Sequence, residues 1–335
     1  MFILPSSLLF SLLLLLSTIM ALSSTNWLIA WISMEVNLLS FVPLMLQSHT
    51  NQETESAVKY FLAQALGSAI MLYSSMMLYN PSNQVLVQLM LVMSLLLKLG
   101  AAPCHYWFPS TMTSMSWLNC LILCTWQKLG PLALMIFPFI GANQLKPLLV
   151  LVAATNAILG GLLGMNQSHI RTILAYSSIT HMGWTIGGFL TNTTLIPMLY
   201  FTMYSLIITP MFIMLNSWKS ASPLQMPQML MNSLSMSIMF SLTLLSLGGL
   251  PPLTGFIPKW MTIIMLSDIN WVLIMLMLLG SLMNLYFYLN LVFNMLTSSM
   301  MLNSHDNSNN PVKLSMLLAA GLNSLGVFPM MMLLL

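Results

Sequence analysis

The sequence predicts an all-α protein that crosses a membrane many times. Hydrophobic residues make up 58% of the 335 positions and charged residues only 4%, whereas an ordinary soluble domain is about 25% charged. The apolar runs have the length of helices and lack the two-residue alternation of barrel strands. Because only helices and closed barrels satisfy their backbone groups in lipid, a polytopic helical bundle is predicted.

At about 20 residues for each crossing, the apolar runs predict about eleven transmembrane helices. The N-terminal run lacks the basic region of a signal peptide and the Arg-rich face of a transit peptide, so it is expected to be the first span. The predicted spans are 2–22, 26–46, 56–79, 85–102, 112–140, 147–165, 170–190, 195–215, 231–266, 271–297 and 312–333.

The positive charges between the predicted spans are unevenly distributed across the membrane. Alternating connections place Lys59, Arg171, Lys219 and Lys313 near one face and Lys146 near the other. By the positive-inside rule, the first face is the matrix or cytoplasmic side. The N-terminus is expected on that same side.

Two predicted spans, the fourth and the ninth, are interrupted by glycine and proline beside a lysine. The interruptions read "KLGAAPCHYWFP" and "LGGLPPLTGFIPKW". They lie five spans apart, an odd number, so the two segments enter the membrane in opposite directions. Paired broken helices of opposite orientation are typical of inverted-repeat transporters. We therefore predict an inverted-repeat transporter fold.

Several classes of site and partner are excluded by the sequence. The net charge of +3 comes with no Lys/Arg cluster, which excludes a nucleic-acid surface. The three cysteines are too few for the four thiolates of an ordinary iron–sulfur cluster, and none has a histidine at zinc-finger spacing. No GxGxxG follows a strand-like segment, so no NADH or flavin site is expected. We expect neither a cofactor-binding site nor a metal site in this chain.

Four ionisable residues fall inside predicted spans and are candidates for a proton path: Glu35, Lys98, Lys128 and Lys259. Each would cost roughly 2.5–3.5 kcal/mol at a helix centre, which favours a functional reason for its presence. A buried lysine with a movable acidic partner is a proton site that can be switched. The alternative for each lysine is a structural charge satisfied by carbonyls freed at a helix break.

Two histidines could extend such a path as relays. His105 lies in the first interruption and His181 in "AYSSITHMGW". An imidazole both accepts and donates protons near neutral pH. The alternative is that each ring is simply hydrogen-bonded within the bundle.

Five motifs, taken together, resemble a known family. They are "WISMEVNLLSFVPLM", "KLGAAPCHYWFP", "TWQKLGP", "AYSSITHMGW" and "GGLPPLTGFIPKWM". In order and spacing they resemble the mitochondrial NADH–ubiquinone oxidoreductase chain 2 family, the antiporter-like membrane subunits of respiratory complex I. The resemblance implies two inverted five-helix bundles, over 1–140 and 147–297, plus a final helix over 312–333. It also assigns functional roles to Glu35, to the lysines of the two broken helices, Lys98 and Lys259, and to the central Lys128. One departure is Ser110, which stands where the family usually has an acidic residue.

The resemblance implies a core membrane-arm subunit that moves protons across the mitochondrial inner membrane, as part of an H⁺-translocating NADH:ubiquinone reductase. NADH, FMN, iron–sulfur clusters and ubiquinone are then expected in partner subunits. Other complex I subunits and inner-membrane lipids, cardiolipin among them, are the expected partners. Two alternatives are a stand-alone cation/proton antiporter, which should offer more buried carboxylates, and an inert scaffold, whose buried charges should be replaceable.

Overall fold

The computed structural model describes residues 5–47, 50–78, 84–139, 143–191, 193–218, 234–251 and 253–302. All regular secondary structure in those ranges is helical, as predicted. The chain divides into two compact units, Met1–Val152 and Ala153–Leu335. The final helix predicted over 312–333 lies outside the described residues.

In its described residues, the first unit contains four long α-helices and four short ones. Its helices are α1 (Pro5–Ser23), α2 (Trp27–Met45), α3 (Asn51–Met77), α4 (Gln84–Leu99), α5 (Trp107–Met112), α6 (Trp117–Cys124), α7 (Trp126–Leu134) and α8 (Ile136–Phe139).

The ends of α3 and the faces of α1 follow from local sequence. The hydroxyl of Thr50 accepts a hydrogen bond of 3.4 Å from the backbone N–H of Glu53, which begins α3 in the manner of a capping box. Helix α1 packs on α2 and buries small side chains such as Ser17 and Ala21, while leucines on its other face are exposed. Small residues allow close helix approach in a membrane, and exposed leucines suit lipid.

The second unit is built from longer helices. Helix α9 (Lys146–Met165) runs across the boundary at Val152, and it is followed by α10 (Ile170–Gly188), α11 (Leu195–Trp218), α12 (Leu234–Gly248), α13 (Phe256–Ser267) and α14 (Trp271–Leu302).

Helix α10 is the buried centre of this unit. Nearly all of its residues are buried, including Ser178, Thr180 and His181. A Cβ placed on Gly183 would lie 2.9 Å from the carbonyl oxygen of Ala153, so a glycine is needed for the close packing of α9. Because α10 is surrounded by protein, it can carry polar side chains that a lipid-facing helix could not.

Within the described residues, six segments are long and apolar enough to cross a membrane: Pro5–Ser23, Trp27–Met45, Trp117–Pro138, Lys146–Met165, Leu195–Ser217 and Trp271–Thr297. The predicted interruptions of the fourth and ninth spans are present in the structure, and the fifth span contains breaks that the sequence did not predict. The fourth, predicted over 85–102, ends earlier, at Leu99. The ninth, predicted over 231–266, is two separate helices, α12 and α13. The fifth, predicted over 112–140, starts at Trp117 and is interrupted at Thr125 and Met135.

Candidate functional site

Helix α4 ends in a tight glycine turn, which produces the first predicted interruption. Gly100 has a φ of +69°, a left-handed conformation that costs other residues about 1–2 kcal/mol. Its N–H donates to the carbonyl of Leu97, and the N–H of Ala101 donates to Leu96, each at 3.1 Å. This is the hydrogen-bond pattern of a glycine C-cap. Lys98 therefore lies in the last turn of α4.

Side chains from other helices donate hydrogen bonds to two backbone carbonyls at this break. Gln64 Nε2 donates 3.1 Å to the carbonyl oxygen of Lys98. Trp107 Nε1 donates 3.0 Å to that of Leu97. The interruption is thus stabilised by protein groups, as a broken membrane helix requires.

The Lys98 side chain is enclosed by the first unit. It is only 6% exposed, and a Cβ on Gly67 of α3 would lie 3.0 Å from its Cγ. Glu35, half-buried on α2, interacts with it electrostatically. No ion pair within 4.0 Å joins these two residues. Glu35 therefore acts on Lys98 at a distance or through an intermediate group.

Lys128 follows a break inside the fifth predicted span, which the sequence did not predict. Thr125 has φ −112° and ψ −74°, between α6 and α7, and its hydroxyl donates 2.7 Å to the carbonyl of Leu121. Lys128 lies in the first turn of α7 and is 2% exposed. Its Nζ is 4.5 Å from the centroid of the Phe108 ring, a cation–π distance.

Lys98 and Lys128 line one small cavity. Its volume is about 10 Å³, measured as the space open to the centre of a water molecule. The polar part of its lining comes from Tyr60, Gln64, Lys98, Gln127 and Lys128. The structure therefore brings two of the predicted lysines together at one small polar cavity.

The second unit holds Lys259 at the other interruption. Gly249, which follows the end of α12, has a φ of +79°, and its N–H donates 3.1 Å to the carbonyl of Leu245. Lys259 is 5% exposed, and its Nζ donates a 2.7 Å hydrogen bond to the carbonyl oxygen of Gly248. Its ammonium group thus lies at the C-terminal end of a helix, where the helix dipole favours positive charge.

His181 lies in an aromatic cluster of the same unit. Its Nδ1 is 2.9 Å from the hydroxyl of Tyr200, and its ring centroid is 4.9 Å from that of Tyr204. A cavity of about 10 Å³ is lined by His181, both tyrosines and Pro258, the residue before Lys259. The predicted relay is therefore next to the second interruption.

The structure does not bring His105 to the lysines. The ring is buried, its Nδ1 is 3.3 Å from the carbonyl of Pro103, and it stacks on Tyr106 with centroids 4.4 Å apart. It is not part of the lining of the cavity between Lys98 and Lys128. Ser110 donates 2.9 Å to the carbonyl of Trp107, within its own turn of helix.

Sequence reasoning missed the neutral residues of the site. Gln64, Gln127 and Phe108 surround the two lysines, and Tyr200 holds His181. Gln127 directly precedes Lys128, and buried amides beside a membrane lysine were the available signal. The aromatic partners had no signal of their own, because aromatic residues are frequent throughout the chain.

Residues 24–284 match the family described as NADH:quinone oxidoreductase/Mrp antiporter, TM. The chain belongs to this NADH:quinone oxidoreductase/Mrp antiporter family. The match begins just before α2 and includes both interruptions and all four candidate charges. It therefore covers the part of the chain in which the motifs lie.

Relatives within the family are similar over most of their length. The protein named NADH-ubiquinone oxidoreductase chain 2 in Lumbricus terrestris is 43% identical over 322 residues, 96% of this chain and 96% of its own length. The protein of the same name in Anopheles gambiae is 40% identical over 311 residues, 89% of this chain and 87% of its own.

Chains of two solved membrane complexes have the same fold. A chain of respiratory complex I from Thermus thermophilus, with bound aureothin, superposes with a TM-score of 0.83 at 22% identity, covering 97% of this chain and 78% of that one. A chain of the Mrp complex from Dietzia sp. DQ12-45-1b superposes with a TM-score of 0.81 at 15% identity, covering 97% and 75%. At these identities the similarity concerns the fold alone.

Proposed function

We propose that the chain is a core membrane-arm subunit of respiratory complex I that contributes to proton translocation across the mitochondrial inner membrane. Electron transfer from NADH to ubiquinone, which drives it, is carried out in other subunits. The main structural support for this proposal is the pair of buried lysines, Lys98 and Lys128, around one polar cavity. The relatives named NADH-ubiquinone oxidoreductase chain 2 support the identity of the complex.

In this proposal the lysines bind and release protons in turn. Glu35 favours the charged form of Lys98, because a nearby carboxylate stabilises an ammonium group. Lys259 and His181 serve the second unit in the same way, and His105 is at most an accessory relay. Moving one proton against 100 mV costs about 2.3 kcal/mol, so the energy comes from outside this chain.

The proposal extends to eleven membrane helices in two inverted five-helix bundles, over 1–140 and 147–297, with a final helix over 312–333. The two breaks share a local design, which supports a repeat. In each, a helix ends at a glycine with φ near +70 to +80°, Gly100 in one and Gly249 in the other. Each break also has a buried lysine next to the freed carbonyls.

The proposed location is the mitochondrial inner membrane, with the N-terminus on the matrix side. The proposed partners are the other subunits of complex I and membrane lipids, including cardiolipin. We assign NADH, FMN, iron–sulfur clusters and ubiquinone to those other subunits. The six apolar helices of membrane length support a multi-pass arrangement.

Replacing Lys128 with Met in the assembled complex tests the function. We expect coupled proton translocation to fall by at least about tenfold, because a proton-transfer group is lost, while assembly survives. Lys59→Met is the matched control, since Lys59 is exposed on α3 and pairs with Glu55. Proton uptake and NADH oxidation should be measured together in resealed vesicles.

The two alternatives predict other outcomes of this experiment. A scaffold would pump normally with Met at position 128. A stand-alone antiporter would exchange cations for protons without NADH, and without co-purifying subunits. Full coupled pumping by Lys128→Met would reject the proposed function.

A further inference from the structure

The cavity between Lys98 and Lys128 has the size and lining of a site for one water molecule. A single water needs about 10–15 Å³ of space open to its centre, and this cavity offers about 10 Å³. A buried water also needs two to four polar partners. Five polar side chains line this space, two of which are the lysines.

Gln127 is a neutral residue of this lining that is left with an unused hydrogen-bond donor. Its Oε1 accepts a hydrogen bond of 3.4 Å from the hydroxyl of Tyr60. Its Nε2 is buried and has no protein partner among the described residues. Burying a donor without a partner is unfavourable, so a native amide in this position is expected to bond to water.

The other amide of the cavity has a different use. Gln64 Nε2 donates to the backbone carbonyl oxygen of Lys98 and so stabilises the break. Trp107 also lines the cavity, but its Nε1 already donates to the carbonyl of Leu97, and the other walls, such as Phe108 and Leu123, are apolar. Gln127 is therefore the neutral side chain able to orient a water here.

We propose that Gln127, held by Tyr60, positions one ordered water that bridges the side-chain nitrogens of Lys98 and Lys128. Gln127 donates to the water oxygen, as does the charged lysine, and the water donates to the neutral lysine. A proton then moves from one lysine to the other by two coupled steps. The water takes the proton of the ammonium group as it gives one of its own to the neutral amine. One proton is transferred, and the water is restored.

This inference deepens the proposed function and rests on it for the role of the lysines. It assigns positioning roles, through a bound water, to Gln127 and Tyr60, which carry no charge. The presence of the water itself can be tested independently of pumping.

The direct test is a density map of the assembled complex at a resolution that shows ordered water. We expect density within hydrogen-bond distance of the Gln127 amide in the wild type, and its loss in Gln127→Met, which keeps the length of the side chain. A wild-type cavity without that density would overturn the proposal.

The functional test compares pumping in three variants. Gln127→Met should lower the rate of coupled proton translocation by about two- to tenfold, the range expected for one lost hydrogen bond. Tyr60→Phe should act in the same direction, and it replaces Gln127→Met if that variant does not assemble. The control is Asn119→Leu, which removes a buried amide of α6 that bonds to the carbonyl of Leu44 outside the cavity. The rate of coupled proton translocation per assembled complex should be unchanged in Asn119→Leu.

Lys128→Met, measured in parallel, separates the two proposals. If Lys128→Met stops pumping while Gln127→Met and Tyr60→Phe pump at the wild-type rate, the water bridge is wrong and the proposed function stands. If all of them pump normally, the proposed function is wrong as well.

Discussion

The ammonium group of Lys259 donates a 2.7 Å hydrogen bond to the carbonyl oxygen of Gly248, the last residue of α12. At the first interruption, by contrast, Gln64 and Trp107 take the freed carbonyls, and the Lys98 ammonium is not needed for that purpose. The alternative of a structural charge therefore has more support for Lys259 than for Lys98. The two roles are separable, because arginine can cap a carbonyl but does not release its proton.

Lys259→Arg should assemble normally but pump slowly. Arginine keeps the positive charge and the donor, so the end of α12 stays capped, while proton release is lost. Lys259→Met should lose both the cap at the end of α12 and the release of protons. The measurements are the amount of assembled complex and the rate of coupled proton uptake. Normal pumping by Lys259→Arg would show that the residue acts only as a cap.

Gly249→Ala should destabilise the second interruption, whereas Gly248→Ala should not. Gly249 has a φ of +79°, and an added Cβ would lie 2.8 Å from Lys259 Nζ. The left-handed conformation alone costs about 1–2 kcal/mol. Gly248 is helical, and its Cβ would make ordinary contacts of 3.6 Å or more. Thermal inactivation of the complex should therefore occur at a lower temperature for Gly249→Ala alone. Equal temperatures for the two variants would contradict this explanation of the break.

The positions of the two breaks were predictable from the sequence because glycine and proline act locally. A glycine C-cap needs only a residue that accepts a positive φ, and Gly100 and Gly249 are visible in the sequence. The interruption at Thr125 has no such residue. It depends on how α6 and α7 pack, so the fifth span was predicted but the break inside it was not.

The charged members of the site were predictable for a similar reason. A lysine in an apolar run is conspicuous whatever its neighbours are. Which of these lysines share a space depends on tertiary packing. The cation–π contact of Lys128 with Phe108, on a separate short helix, has no counterpart in the local sequence.

Glu35→Gln should impair coupled turnover while assembly stays near normal. Glu35 acts on Lys98 electrostatically rather than through a direct ion pair. Glutamine keeps nearly the same shape, so the effect of Glu35→Gln should come from the loss of the charge. Glu35→Asp keeps the charge on a side chain one methylene shorter and should be milder. Equal, wild-type pumping of both variants in resealed vesicles with NADH as donor would show that the charge is not needed.

The membrane orientation predicts which lysines an impermeant amine reagent reaches. On mitoplasts, which expose the outer side of the inner membrane, Lys146 should be labelled before Lys219. Lys146 is exposed at the start of α9, and Lys219 lies outside the described residues. Inside-out vesicles should give the reverse order. Labelling of Lys219 first on mitoplasts would invert the assignment.

Tyr200→Phe should reduce pumping if His181 relays protons. The Tyr200 hydroxyl lies 2.9 Å from His181 Nδ1, with both residues buried between α10 and α11. A histidine that relays a proton uses both ring nitrogens, so the group bonded to one nitrogen controls what the other can do. Phenylalanine keeps the ring that stacks on Trp184.

For Tyr200→Phe, the rate of coupled proton uptake should fall by about two- to tenfold, which corresponds to the free-energy contribution of one hydrogen bond. The amount of assembled complex should be unchanged. Tyr286→Phe is the control, because Tyr286 is 55% exposed on α14. It removes the same hydroxyl group at a site away from His181. If Tyr200→Phe pumps at the rate of that control, then the hydroxyl has no part in proton transfer, and His181 is a packed, hydrogen-bonded residue of the bundle.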